Sequence, residues 1–425
     1  MAVSTIEGIP QSVLPAGSRL TGYDKKLQIR AQLKDIYVNL TGLYRRSGQA
    51  IPNAIYMTLD EMGQASNEKI TVTMKLPLSG GVITGNRRLL GNEVAPTTKN
   101  GSVYRNNYKF AVRTETYNTR ELDQRAYGLF DMHVKDLGTH AAQFEGYQIR
   151  QALIKKYPQD MIDGDLAGVI SQQWNPNVFI AGATDANQPA YDTDNQNFIN
   201  NIVASMYSVG GELDNVQAGA PTFRMMNKIA LSALNKKLMP LEIEGQQAFV
   251  LVVSPQGASM FADPTMGGSG ATTSMGQVWV DFNRLSEKVQ NWYGIIGKFV
   301  SSIGVCLYVV VDVKCPSCEP GGSSAPYTLT PRYMIEGDID NRQNTISGET
   351  RNKDVGVLLG KGALVKWEPE KLHMVKHEDD YGRILGTGYA GVRGVQRLEF
   401  DATTATNTSR EYYGSMLVFM DRYTY

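Results

Sequence analysis

Two cysteines and two histidines form the first pattern in this sequence with the residue types needed for chemistry. Cys315 and Cys318 make a C-x-x-C pair, and His373 and His377 make an H-x-x-x-H pair after 54 intervening residues. These are the ligand types of a Cys2His2 zinc site. The intervening length is far above that of a compact zinc finger, so the two pairs would meet only through the fold. We favour the alternative, a loop with two incidental thiols and two surface histidines.

Three glycines, Gly386, Gly388 and Gly391, satisfy the pattern G-x-G-x-x-G. A dinucleotide site needs a strand before this pattern and a helix after it. The residues that follow, VRGVQRLEF, are typical of a strand, and Gly394 would weaken a helix. We therefore predict a glycine-rich turn between strands rather than a nucleotide site.

The remaining polar residues form no catalytic pattern. The sequence contains no G-x-x-x-x-G-K-[ST], H-E-x-x-H or G-x-S-x-G motif. His133 and His140 are seven residues apart and are expected to share one face of a helix in packing or capping contacts. The acidic run 378–380 is typical of a solvated turn. We expect no enzyme activity, no catalytic, cofactor-binding or metal-binding residues, and no cofactor.

Composition indicates a neutral protein of mixed α and β structure. The chain has 425 residues, with 42 basic and 42 acidic side chains, and three cysteines. A specific duplex binder normally has a basic excess, which is not visible here. Three cysteines are too few for a disulfide framework. The polar N-terminal residues do not have the pattern of a secretory signal. The longest apolar run, Val300–Val313, is too short to span a membrane, so we expect no membrane partner.

A long amphipathic helix is predicted over residues 119–156, ending before Pro158. Its apolar residues recur at gaps of mostly three to five, which places them on one helical face. They are Leu122, Ala126, Phe130, Val134, Leu137, Ala141, Phe144, Ile149 and Leu153. At about 1.5 Å per residue, such a helix would exceed the diameter of a small domain.

An extended hairpin is predicted immediately before this helix. Ile70–Leu76 and Tyr104–Thr116 alternate apolar and polar residues as strands do. The loop between them, Pro77–Val103, has five glycines, two prolines and no periodicity. Loops of this length usually act outside a compact domain. The pattern favours a subunit that extends across its neighbours.

The rest of the chain alternates predicted helices and strands, so the fold class is α+β. Two apolar strands bounded by helices indicate a buried central sheet. The predicted helices are Tyr23–Tyr44, Asn195–Tyr207, Thr222–Leu238, Pro255–Asp263 and Val280–Val289; the predicted strands are Ala248–Ser254, Ile303–Val313, Val392–Phe400 and Ser415–Tyr423. Residues 48–63 are predicted to be irregular, and residues 264–276 and 315–328 to be loops.

The order of these elements resembles the major capsid proteins of tailed bacteriophages with the Hong Kong 97-type fold, in particular the N-four-like podovirus branch. The resemblance covers about residues 25–400, and the order and spacing of its motifs carry it. The motifs are LTGLY (Leu40–Tyr44), LLGNE (Leu89–Glu93), NYKFAV (Asn107–Val112), ELDQRAYGLFDMHVKDL (Glu121–Leu137), QIRQALI (Gln148–Ile154), LLGKGALVKW (Leu358–Trp367) and HEDDYGRILGTGYAGVRGVQRLEF (His377–Phe400).

The resemblance implies a division of the chain into the parts of that fold. In chain order these are an N-terminal arm and helix (1–66), an extended β-hairpin loop (67–118), a spine helix with the first part of the peripheral domain (119–194), an axial domain (195–367) and the C-terminal part of the peripheral domain (368–425). Relative to a minimal member, the loops at 264–276 and 315–328 are additional.

The resemblance also implies the function, a shell subunit that assembles as pentamers and hexamers into an icosahedral head around phage double-stranded DNA. Separate scaffolding and portal proteins, and decoration proteins, are expected partners, and the expected location is the virion. Some relatives crosslink a Lys to an Asn; Lys75, Lys99 and Asn100 lie in or near the loop, but we predict no such bond. A cellular nanocompartment shell with the same fold is the alternative, and a zinc-binding protein is a remote one.

Overall fold

The computed structural model describes these residues: 5–6, 9–10, 27–28, 35–44, 51–59, 69–75, 98–115, 127–158, 160–161, 170, 173–181, 183, 187–190, 197–198, 201–202, 205, 223–255, 257–258, 279–313, 317–321, 345–347, 353–379, 384–400 and 412–421. Within them, 19 strands, three α-helices and two 3-10 turns have defined bounds.

The strands are β1 (Thr5–Ile6), β2 (Ile9–Pro10), β3 (Thr41–Tyr44), β4 (Tyr56–Leu59), β5 (Lys69–Lys75), β6 (Thr98–Tyr104), β7 (Asn106–Glu115), β8 (Val178–Ile180), β9 (Leu241–Ile243), β10 (Gln246–Val253), β11 (Trp279–Asp281), β12 (Ile295–Val300), β13 (Cys306–Val311), β14 (Ser317–Gly321), β15 (Thr345–Ser347), β16 (Lys353–Leu359), β17 (Leu364–Asp379), β18 (Ile384–Arg397) and β19 (Ser415–Asp421). The helices are α1 (Tyr127–Ile154), α2 (Phe223–Asn235) and α3 (Glu287–Gln290), and the 3-10 turns are Ile36–Val38 and Phe282–Arg284.

Ten strands form the larger sheet, whose centre is buried on both faces. The strand order is β11-β12-β13-β10-β16-β14-β15, with β19 paired to β16 and β8, and β9 paired to β10. In β10, Val250 and Val252 pack in the cluster that contains the end of α1, whereas Leu251 and Val253 pack in the cluster that contains α2. Cover on both faces explains why β10 is continuously apolar from Ala248 to Val253 rather than alternating.

Five strands form the smaller sheet in the order β3-β4-β17-β18-β7, and α1 packs against it. Val134, Leu137 and Ala141 of α1 are in one buried cluster with Leu372 and Met374 of β17. The chain passes from the larger sheet to the smaller one at residues 360–363, between β16 and β17. The larger sheet also takes β8 and β19, which lie outside residues 195–367.

The predicted long helix is confirmed over the 28 residues of α1, which are about 42 Å long. Five members of its predicted apolar face, Val134, Leu137, Ala141, Ile149 and Leu153, are each at most 2% exposed. Residues 119–126 lie outside the described part. Among the described residues, no helix combines the length and apolar character that a bilayer crossing requires.

The predicted hairpin exists, but one of its two arms was assigned wrongly. β5 pairs antiparallel with β6, so that Lys75 stands opposite Thr98. The predicted second arm is β7, which instead pairs with β18 in the smaller sheet. β7 alternates apolar and polar residues, whereas β6 begins with five residues that are not apolar, so periodicity selected β7 as the second arm and gave no sign that β6 is a strand.

Four other sequence predictions are corrected by long-range pairing. Residues 27–28 are helical as predicted, but the helix does not continue to Tyr44, because β3 pairs in parallel with β4. β4 itself lies in the stretch expected to be irregular. Residues 280–289 form the end of β11, a 3-10 turn and the start of the short α3. The loop predicted at 315–328 contains β14, which pairs with β16.

The other predicted elements are confirmed where the structure describes them. They are α2, β10, β13, β18 and β19, together with the helical residues 197–198, 201–202 and 205 of the helix predicted at Asn195–Tyr207, and residues 255 and 257–258 of the one at Pro255–Asp263.

Candidate functional site: the buried junction at the long helix

The structure places the cysteine and histidine residues considered as zinc ligands on different sheets. Cys318 lies in β14 of the larger sheet, whereas His373 and His377 lie in β17 of the smaller sheet. His373 is partly exposed, and its Nδ1 lies 3.4 Å from a Glu370 carboxylate oxygen. Cys315 is outside the described residues. The described residues contain no cluster of three His, Cys, Asp or Glu side chains suited to a metal ion.

The G-x-G-x-x-G glycines lie within β18 and not in a turn, which corrects the sequence prediction. Gly388 pairs with β7 and β17 at once. A Cβ atom at Gly388 would lie 2.6 Å from the carbonyl oxygen of Phe110, and one at Gly394 would lie 1.8 Å from that of Tyr104. The glycines therefore permit close backbone approach. The loop followed by a helix N-terminus that a dinucleotide requires is not found at this motif.

Charged side chains connect α1 to both sheets, beginning with Arg150. Its Nε and Nη2 donate to the Asp312 carboxylate over 2.8 and 2.9 Å, and Nη2 also donates to Asp35 Oδ2 over 2.8 Å. The guanidinium carbon lies 5.4 Å from the centre of the Tyr37 ring. Two-point pairing of this kind is strong and directional. Arg150 therefore joins α1, the residue after β13 and the N-terminal 3-10 turn.

Glu145, one turn earlier, connects α1 to the smaller sheet. Its carboxylate accepts from Tyr56 of β4 over 2.7 Å, from Lys366 of β17 over 3.1 Å and from Arg393 of β18 over 3.0 Å. Burial by itself would raise the pKa of the Glu145 carboxyl, but the charges of Lys366 and Arg393 hold it below its usual value. Glu145 thus stays ionised at neutral pH and joins three strands.

Arg397 of β18 closes the C-terminal end of α1. Its Nη1 donates to the carbonyls of Leu153 and Ile154 over 3.3 Å, and its Nη2 donates to those of Gln173 and Trp174 over 3.3 and 3.2 Å. The last carbonyls of a helix have no partner within the helix, and a cation there also complements the helix dipole. The fully buried guanidinium meets both needs at once.

Glu399 balances the charge of this buried arginine. Its Oε1 accepts from both Nε and Nη2 of Arg397, and its Oε2 lies 3.1 Å from Lys156 Nζ. Burial raises the pKa of the Glu399 carboxyl, and the charges of Arg397 and Lys156 outweigh it, so the net pKa is lowered. Tyr412 stacks on the Arg397 guanidinium, with its ring centre 4.9 Å away.

The two helix histidines share one face, as the sequence predicted. His133 Nδ1 lies 3.5 Å from Thr387 Oγ1, and His140 Nδ1 lies 3.1 Å from the Tyr389 hydroxyl, so both contact β18. The His140 ring stacks on Phe110 with centroids 3.9 Å apart. Burial lowers the pKa of the His140 imidazole. Its roles are packing and hydrogen bonding between α1 and the smaller sheet.

We expect His140 to make the contact between α1 and the smaller sheet sensitive to acid. Because its pKa is lower in the folded state than the unfolded value of 6.5, its contribution to stability is full above that value and is lost as the pH falls through the folded pKa. Melting temperature measured between about pH 7 and about pH 5 should fall less in His140→Phe than in the wild type. His373→Phe, at a partly exposed histidine, is the control and should follow the wild type. Parallel curves for wild type and His140→Phe would contradict this assignment.

The hairpin residues considered for crosslinking have local partners where their side chains are described. Lys99 is 5% exposed, and its Nζ lies 3.3 Å from the Tyr413 hydroxyl; burial lowers its pKa. Asn100 is exposed, and its Oδ1 accepts from Thr73 Oγ1 over 2.9 Å. For Lys75 only the backbone is described. Lys99 is thus held by local contacts in β6, one residue after the pair Lys75 and Thr98.

Sequence reasoning did not single out the charged residues of the junction. Glu145 and Arg150 lie on α1 among apolar positions, and Asp312 follows the apolar strand β13. A charge at such a position is a usable signal, because charged side chains are rarely buried without a partner. The partners come from distant parts of the chain, and only the fold identifies them. This arrangement can hold elements of the fold together.

Comparison with known proteins finds the same fold in phage capsid structures. The head structure of Helicobacter pylori bacteriophage KHP40 matches with a TM-score of 0.55 at 12% identity over 92% of this chain and 91% of that chain. The capsid of Ralstonia phage GP4 matches with a TM-score of 0.55 at 12% identity over 100% and 99%. The acid-stable capsid of Helicobacter pylori bacteriophage KHP30 matches with a TM-score of 0.55 at 13% identity over 91% of each chain. No protein-family model and no curated protein sequence matches the chain.

The protein therefore has the α+β fold of phage capsid proteins, the Hong Kong 97-type fold, over nearly its whole length. The long helix α1, the hairpin β5–β6 and the two sheets are the described parts of this chain that make up that fold.

Proposed function

We propose that this protein is a phage major capsid protein, a structural subunit and not an enzyme. It assembles with copies of itself as pentamers and hexamers into the icosahedral head that encloses double-stranded DNA, and so it is part of the virion. The observation that carries this proposal is the match of nearly the whole chain to structures described as a phage head and as phage capsids. Neutral net charge suits a wall that holds DNA without binding it tightly.

The hairpin supports a role in contacts between subunits. An isolated two-stranded hairpin is only marginally stable in water. Here its base is anchored, because Val72 and Val103 pack in a buried cluster with Trp367, Leu398 and Phe400 of the smaller sheet and the residues after it. Residues 76–97 connect the two strands at the far end. We infer that this connection contacts a neighbouring subunit.

The finer assignments are also proposals. The sequence motifs support the N-four-like podovirus branch, and the order of elements supports the division into arm, hairpin loop, spine helix, peripheral domain and axial domain at the boundaries given above. Separate scaffolding, portal and decoration proteins are proposed as partners, with assembly in the host bacterial cytoplasm. DNA is proposed to contact the inner face without sequence specificity.

Electron microscopy of the fast-sedimenting fraction tests the function directly. The protein is expressed with and without its genomic neighbours, and uniform hollow shells, tubes or sheets of hexamers are expected. A monomer or dimer under every condition would contradict the proposal. Analysis of the contents of purified particles distinguishes the two kinds of shell. Packaged DNA indicates a phage head, and a cargo enzyme indicates a nanocompartment.

Shortening the hairpin connection is expected to abolish closed shells without unfolding the subunit. Lys75 and Thr98 are cross-strand partners, so a short Asn-Gly turn in place of residues 76–97 closes β5 onto β6. The melting temperature should stay near that of the wild type, while electron microscopy should show no closed particles. Insertion of Gly-Ser at Ser302–Ile303, in the exposed turn between β12 and β13, is the control for a local change of chain length. Normal shells from the shortened variant would rule out this role.

A further inference from the structure

The described residues 35–44 and 51–59, here called the bridging segment, contact both sheets. On the side of the smaller sheet, β3 pairs with β4, and β4 pairs with the first residues of β17. On the side of the larger sheet, Ile36, Tyr37, Ile55 and Tyr56 pack in the cluster that contains β10 and β13, and Asp35, Asn39 and Asn53 make polar contacts. One of these is the buried contact of Asp35 with Arg150, which also binds Asp312 at the end of β13.

Asn39 makes the second contact with a reciprocal pair of hydrogen bonds. Its Oδ1 accepts from the backbone N–H of Tyr293 over 2.9 Å, and its Nδ2 donates to the carbonyl of the same residue over 3.2 Å. Tyr293 stands two residues before β12. The side-chain amide therefore bonds to the backbone as a neighbouring strand would.

Asn53 repeats this arrangement at another strand of the larger sheet. Its Oδ1 accepts from the backbone N–H of Glu242 in β9 over 2.8 Å, and its Nδ2 donates to the carbonyl of Glu242 over 2.6 Å. Asn53 is exposed and Asn39 is half-buried. Neither amide lies in a hydrophobic core, so both contacts can open without exposing buried apolar surface.

We propose that Asn39 and Asn53 are positioning residues that set the angle between the two sheets, and through it the curvature of the assembled shell. The smaller sheet holds the bridging segment through backbone pairing, and the two amides hold the same segment to the larger sheet. A fixed length of chain bonded at both sides limits rotation of one sheet against the other. This inference rests on the proposed shell function, because curvature is a property of the assembly.

The contacts of the bridging segment distinguish a role in setting the sheet angle from a role in the stability of the subunit. The buried contacts of Arg150 and the hydrophobic cluster that the segment shares with both sheets keep the subunit folded when the amides are removed. Loss of the amides leaves the segment folded but able to shift relative to β9 and β12. The expected change is in the geometry of assembly rather than in the fold.

The double variant Asn39→Ala/Asn53→Ala tests the proposal in the full-length protein. Hydrogen exchange at the amides of Tyr293 and Glu242 should become about tenfold faster, as for loss of a bond of ordinary strength. The diameters of assembled particles, measured by electron microscopy, should broaden or shift. Asn39→Asp/Asn53→Asp keeps the acceptor and loses the donor, so it should fall between the double alanine variant and the wild type. Asn235→Ala, an exposed asparagine at the end of α2, is the matched control and should leave diameters unchanged.

The outcomes separate this inference from the function on which it rests. Faster exchange with altered diameters and a nearly unchanged melting temperature supports it. Faster exchange with particles of wild-type diameter overturns it and leaves the capsid function intact. Failure of the wild type to form particles would instead overturn the proposed function. A large fall in melting temperature with unaltered diameters would assign the two asparagines a purely structural role and also overturn the inference.

Discussion

Arg397→Met is expected to destabilise the subunit by about 3–5 kcal/mol, the usual result of removing one partner from a buried ion pair. The guanidinium donates to the carbonyls of Leu153, Ile154, Gln173 and Trp174, and each of them loses this donor. Asn175 and Lys156 still donate to the first three, so the main cost is the loss of the cation buried beside Glu399. Glu399 keeps Lys156 but loses the closer of its two cations. Since a whole domain is stable by only about 5–15 kcal/mol, much of the protein should accumulate as aggregate.

Urea unfolding of Arg397→Met and Arg397→Lys against the wild type measures this effect. Lysine keeps the charge but has no planar fork, so it cannot reach four carbonyls and a carboxylate at once, and it should recover only a part of the loss. Arg284→Met, at an exposed arginine, makes the same substitution without these partners and should change the urea midpoint little. An Arg397→Met midpoint equal to that of the wild type would show that the buried pair of Arg397 and Glu399 contributes nothing to stability.

Leu137→Asp is expected to prevent folding, so that the protein is recovered only in the insoluble fraction. Leu137 is 1% exposed and packs between α1 and the smaller sheet with Leu372, Met374 and Tyr389. The substitution removes apolar contacts and buries a carboxylate without a partner, which together cost several kcal/mol. Effects above about 4–5 kcal/mol are exceptional and come from changes of this kind.

The same substitution on the solvent side of α1 is the control. Thr139→Asp, two residues further on at an exposed position, should stay soluble with a melting temperature near that of the wild type. Leu137→Met keeps the volume and apolar character and should also fold. Solubility and circular dichroism of the three variants decide the result. A soluble, helical Leu137→Asp protein would show that this face of α1 is not buried.

The sequence alone predicted the elements whose signal is local. α1 and α2 were found because apolar side chains recur with the helical period, and β10 and β13 because a short, continuously apolar run suits a strand covered on both faces. The same local reasoning placed His133 and His140 on one face of α1. The α+β class followed from the order of such segments, and the capsid fold was implied by the resemblance of several sequence motifs to phage major capsid proteins.

The errors lie where pairing partners are distant in the chain. β7 alternates apolar and polar residues and β6 does not, so alternation selected β7 as the partner of β5, although β6 pairs in the hairpin and β7 in the smaller sheet. The glycines of β18 were taken as a turn because glycine is common in turns. Glycine occurs at Gly388 and Gly394 because neighbouring strands approach too closely for a Cβ atom. The sequence does not show which strands are neighbours, so this reason could be found only from the tertiary structure.

What the sequence determined by itself is the set of local elements, since helical and strand periods depend on residues a few positions apart. What only the tertiary structure decided is the junction. Arg150 meets Asp35 and Asp312, and Asn39 and Asn53 meet β12 and β9, across separations that no local pattern encodes. A buried charged side chain needs a partner, but the residues around it in the sequence do not identify that partner. That choice is made by the packing of α1 between the two sheets.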